Sequence, residues 1–113
     1  MNIVEKNIDR LKKLCKTYKV SKLYVFGSVN SERFSKESDI DFLVTFDNVE
    51  LQNYADNYFD FKFSLEDLFK RDIDLLEEKA VKNPFLLKSI DTSKQLVYGS
   101  LILELGFMIF ILQ

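Results

Sequence analysis

The chain has 113 residues, 47% hydrophobic and 14% aromatic, with a formal net charge of -2. That length allows one domain with one modest core, the apolar content excludes a disordered chain, and the slightly acidic balance argues against nucleic acid as a partner. The lack of histidine excludes His-based acid/base chemistry, Ser-His-Asp triads and His-ligated zinc, so any metal must be held by oxygen, which selects hard cations such as Mg²⁺ or Mn²⁺. One cysteine cannot form an internal disulfide, and the start Met-Asn-Ile-Val-Glu-Lys lacks the apolar run of a signal peptide. A reducing cytoplasm, away from membranes, is therefore the expected setting.

In chain order, Val4, Ile8, Leu11, Leu14, Cys15 and Tyr18 recur at helical spacing and predict an amphipathic first helix from Asn2 to Tyr18. Cys15 lies on its apolar stripe and reads as a small core hydrophobe. Lys22 to Phe26 is a β-branched and aromatic run stopped by Gly27, so a strand. Ser28 can cap a short helix running to about Phe34. Asp39 to Phe46 is expected as a second strand. A long helix follows from Leu51 to Phe69, with Leu51, Tyr54, Ala55, Tyr58, Leu65, Leu68 and Phe69 on its stripe and Phe61 and Phe63 widening it. Its aromatic residues read as core packing, with Phe59 and Phe63, off the main stripe, as a partner-facing patch.

Arg71 to Leu76 alternates polar and apolar residues and predicts a third strand. Asn83-Pro84 opens a short helix over Phe85 to Ile90, and Lys94 to Tyr98 is a last strand closed by Gly99. This order predicts an α/β (α+β) fold: a small mixed sheet flanked by helices. Residues 100–113 form an apolar tail whose only charge is Glu104. It is too short to span a bilayer and is expected to be buried against the same or another chain, an oligomer contact being one such role.

The chemistry concentrates between residues 26 and 44. Gly27-Ser28 is followed, after ten residues, by Asp39-x-Asp41 opening an apolar run. Alternation along a strand puts Asp39 and Asp41 on one face, about 6–7 Å apart, close enough to share one metal and repelling each other without it. Gly27 permits a tight turn, while Ser28 offers a hydroxyl and the free N–H groups of a helix start to a phosphate. Asp72 and Asp74 lie in the next predicted strand, and either could complete a third carboxylate. Three carboxylates around two Mg²⁺ ions suit in-line attack on the α-phosphate of a nucleoside triphosphate. Without histidine, a carboxylate is also the natural base.

The run Phe-Gly-Ser, ten residues, Ser-Asp-Ile-Asp-Phe-Leu-Val resembles the signature of the DNA polymerase β-type nucleotidyltransferase superfamily, in particular its minimal nucleotidyltransferases (MNT, MntA-like). Ile73-Asp74-Leu75-Leu76 is similar to the strand that carries the family's third acid, which selects Asp74 over Asp72. Lys82-Asn83-Pro84-Phe85 and Gln95-Leu96-Val97-Tyr98 also resemble the family, so the likeness spans residues 1–99 as one nucleotidyltransferase domain. It implies Mg²⁺ held by Asp39, Asp41 and Asp74, phosphate held by Gly27 and Ser28, and transfer of a nucleoside monophosphate, AMP from ATP, to a hydroxyl. Members of this size are commonly paired with a helical HEPN-domain protein and can act as antitoxins that adenylylate a tyrosine of the HEPN toxin. One departure is plain. Val29-Asn30-Ser31-Glu32 stands where many members carry Arg-x-Arg-Gly, leaving Arg33 and Lys36 as the nearest cations. A binding module that neutralises a partner without chemistry is the alternative reading.

Overall fold

The computed structural model describes residues 2–27 and 38–99. The elements run α1 (Ile3–Lys6), α2 (Ile8–Thr17), β1 (Val20–Phe26), β2 (Ile40–Phe46), α3 (Leu51–Phe69), β3 (Ile73–Glu77), a 3₁₀ turn (Glu78–Ala80), α4 (Pro84–Ser93) and β4 (Gln95–Tyr98). The strands form one sheet in the order β3-β2-β1-β4. β1 runs antiparallel to both β2 and β4, whereas β2 and β3 are parallel. The expected mixed sheet flanked by helices is the observed architecture. A parallel pair cannot be joined by a hairpin, and α3 is the long crossover that the β2–β3 pair requires.

Alternation along the strands sorts side chains to two faces. Leu23, Val25, Ile40, Phe42, Val44, Ile73 and Leu75 point to the larger cluster, where they meet Leu11 and Cys15 of α2 and Phe61, Leu65 and Phe69 of α3. Tyr24, Phe26 and Leu43 point the other way, to a smaller cluster closed by Ile90 of α4. Cys15 is fully buried and its thiol is pushed up to about 12 by desolvation, as a core cysteine should be.

Two expectations about the helices change. The first helix is not continuous: Asn7 leaves helical geometry at φ -112°, ψ 17°, and its side-chain amide donates to the Ile3 carbonyl at 2.9 Å. Asparagine offers the backbone this local competitor to the helical ladder, so the stripe divides into α1 and α2. In α3, Leu51 is 92% exposed and Ala55 is also exposed. The fully buried line runs instead through Phe61, Leu65 and Phe69, while Tyr58, earlier in the helix, is only partly buried against the larger cluster.

Polar contacts also hold α3 in place. The Asn57 side chain donates to the Tyr18 carbonyl at 2.8 Å and the Tyr58 hydroxyl donates to the Leu75 carbonyl at 2.6 Å. The second contact ties the helix to β3, at the edge of the sheet, and so helps to hold β3 in its place beside β2. Among the described residues, no helix is long and apolar enough to cross a membrane.

Candidate active site

Asp41 is the centre of the site. It lies in β2 opposite Phe26 of antiparallel β1 and in register with Asp74 of parallel β3. Residues in register across neighbouring strands share a face, about 5 Å apart between strands. Phe26, Asp41 and Asp74 thus form a row across three strands on the face that carries the smaller cluster. Asp39 stands one residue ahead of β2 and is exposed. Asp72 falls outside β3, and its carbonyl accepts from the Ile40 amide at 3.3 Å.

The carboxylates act on one another. Asp41 is only half-buried, yet its pKa is pushed up to about 6. Desolvation is the largest cause, followed by the negative charges of Asp74 and Asp39. A cation among them would remove this repulsion. The donor set is all oxygen, as Mg²⁺ prefers, and in that respect it fits a hard divalent ion. Among the described residues, no group of three or more acidic side chains is gathered closely enough to hold a metal ion as it stands; Asp41 and Asp74 are the pair that strand register brings together.

Gly27 ends β1 with φ +77°, a conformation that favours glycine. A Cβ built there would fall 2.5 Å from Asp41 Oδ2. The glycine therefore does two things: it turns the chain and leaves room for the carboxylate. Ser28, the expected helix over residues 28–34, the Val29–Glu32 departure, Arg33 and Lys36 lie outside the described residues.

Reading the residue pattern alone passed over the bracing behind the acids. Arg71 follows the left-handed Lys70, φ 55°, which ends α3. Its Nη1 donates to the Ser38 carbonyl at 3.1 Å. The expected third strand took in Arg71, whereas β3 begins at Ile73. A helix stripe ending at Phe69 was the available signal that Arg71 belongs to the connection.

A family model described as polymerase beta, nucleotidyltransferase, matches residues 9–100. A candidate protein adenylyltransferase of Methanocaldococcus jannaschii, MJ0128, is 38% identical over 81 residues, covering 72% of this chain and 78% of its own. A solved structure of a candidate minimal nucleotidyltransferase superposes with a TM-score of 0.67 at 23% identity, covering 84% of this chain and 95% of that one. The structure of a tri-AMPylated Shewanella oneidensis HEPN toxin with its MNT antitoxin matches with a TM-score of 0.57 at 19% identity, covering 87% of this chain and 74% of that one. These two structural likenesses concern the fold; the family model and the sequence relative concern descent. Matched by the family model over residues 9–100, the chain belongs to the polymerase beta nucleotidyltransferase family and is a nucleotidyltransferase.

Proposed function

We propose that this nucleotidyltransferase transfers AMP from ATP to a protein hydroxyl in a Mg²⁺-dependent reaction in the cytoplasm, and that the acceptor is a tyrosine of a HEPN-type toxin which it silences as an antitoxin. The observation that carries this reading is the in-register Asp41–Asp74 pair, with Gly27 packed against the Asp41 carboxylate. A protein adenylyltransferase among the sequence relatives and an AMPylated HEPN toxin among the structural ones support the acceptor class.

Asp39, Asp41 and Asp74 would hold the metal, two ions in the full site. When bound, Mg²⁺ neutralises triphosphate charge and lowers the pKa of the attacking hydroxyl. Asp41, already desolvated and crowded by like charge, gains most from such a partner. Gly27 and Ser28 would hold the phosphates, the serine through its hydroxyl and backbone amide. In the transfer, the acceptor oxygen bonds to the α-phosphorus as the bond to pyrophosphate breaks. The hydroxyl proton would pass to a carboxylate, and Asp74 is the residue we assign as third ligand or base, a reading supported by its exposure on edge strand β3.

The test is incubation with α-labelled ATP, Mg²⁺ and the co-encoded partner. Label should appear on the partner and disappear with Asp39→Ala or Asp41→Ala, or when the partner's acceptor tyrosine is changed to Phe. A folded chain that labels no co-encoded protein would sink the reading.

One observation favours the alternative of a non-catalytic binding module. Phe59 and Phe63 are 48% and 58% exposed and stack on each other with ring centroids 6.1 Å apart, an apolar patch on α3. If binding alone neutralises the partner, the triple-acid variant should protect as well as wild type.

A further inference from the structure

Asp39 is the least supported of the three acids. It lies ahead of β2, outside the strand's regular ladder, and is exposed. Yet the backbone on both sides of it is tied to the same two consecutive residues. On the C-terminal side, the Ile40 amide donates to the Asp72 carbonyl at 3.3 Å. On the N-terminal side, Arg71 Nη1 donates to the Ser38 carbonyl at 3.1 Å.

The backbone leading into Arg71 is set by the end of α3. The left-handed Lys70 ends α3, with its amide on the Glu66 carbonyl at 2.8 Å. Only Lys70, Arg71 and Asp72 separate α3 from β3, and Arg71 is half-buried in that short connection. A planar guanidinium held there gives a directional, charge-assisted contact to a carbonyl, stronger than a neutral one.

We propose that Arg71 is a positioning residue of the nucleotidyl-transfer site: by gripping the Ser38 carbonyl it fixes the backbone at Asp39 and aims that carboxylate at the ion shared with Asp41 and Asp74. The inference rests on the metal-binding reading of those three acids. Its action is through the Ser38–Asp39 backbone. Residues that orient metal ligands in this way typically change metal affinity about 10–100-fold when removed.

Binding of Mn²⁺ to the full chain, followed by electron paramagnetic resonance without nucleotide or acceptor, is the direct test. Arg71→Met keeps an apolar stem of similar reach and removes every donor. It should weaken Mn²⁺ binding about tenfold or more at temperatures well below its melting point. Arg71→Lys, which restores a donor and the charge, should recover part of that loss. In the transfer assay, Arg71→Met should raise the Mg²⁺ concentration needed for half-maximal rate and leave KM for the acceptor unchanged. Arg71→Ala, the more disruptive change, is decisive only if it folds; Arg71→Met decides otherwise. Wild-type affinity in a folded Arg71→Met chain overturns the inference alone. A wild-type chain that binds Mn²⁺ no better than Asp39→Ala overturns both the inference and the metal site on which it rests.

Discussion

Asp41 shows at the scale of one residue how a site is built at a cost to the fold. Its carboxyl is ordinary when unfolded, near pKa 3.8, and is pushed up to about 6 in the folded chain by desolvation, then by Asp74 and Asp39. The folded state therefore binds the proton more tightly than the unfolded one, and stability from this group is fully present below about pH 4 and lost as pH rises through about 6. Solvent screening at a half-exposed carboxylate keeps the effect modest. Asp41→Asn removes it. In metal-free buffer the variant should melt at a higher temperature than wild type at pH 8, with the gain vanishing by about pH 3.5, as read by calorimetry at both pH values. An equal shift at both would show that the charge is not its source. Excess Mg²⁺ should narrow the gap at pH 8 by stabilising wild type alone.

At the scale of elements, α3 carries the most contrast. Its bounds, Leu51 to Phe69, are as the sequence predicts, since its apolar residues keep a helical period over about five turns. Which of its aromatics are inside was less legible. Phe61 is fully buried, in ring contact with Tyr18 and Phe46, while Phe63, two residues on, is 58% exposed. Phe61→Ala should destabilise the chain by about 3–5 kcal/mol, and Phe63→Ala by less than about 1 kcal/mol. Chemical denaturation of the two variants reads the difference directly, and comparable losses would mean that α3 is rotated from the orientation described. The short α1–α2 break was hidden for a related reason. Asn7 sits between residues that keep the period, and its carbonyl-capping side chain acts locally, beneath any hydrophobic pattern.

For the whole molecule, the decisive feature is the parallel pairing of β2 with β3. Among the described residues, both apolar clusters and the four strands of the sheet lie within 2–99, and the segment 100–113 lies outside the described residues. We propose that residues 1–99 are the folding unit, with the apolar segment 100–113 an addition to it, a reading supported by the family match over residues 9–100. A chain truncated after Gly99 should unfold in a single cooperative transition by calorimetry. Loss of cooperativity would make the segment part of the core, and a change of oligomeric state alone would make it a contact between copies.

The elements were legible in the sequence wherever the signal is local: strand alternation, the α3 period, the Asn83-Pro84 helix start and the Gly27 turn. The candidate site was legible in part. Asp39 and Asp41 share a short stretch whose spacing can be read directly, and the absence of histidine restricted the metal chemistry to oxygen ligands. Tertiary structure decided what depends on register between distant segments. It brought Asp74 level with Asp41, set Gly27 against the Asp41 carboxylate, and carried Arg71 to the Ser38 carbonyl 33 positions away. Local pattern reports which face a side chain occupies; only the pairing of strands, set by packing across the whole core, reports which side chains meet.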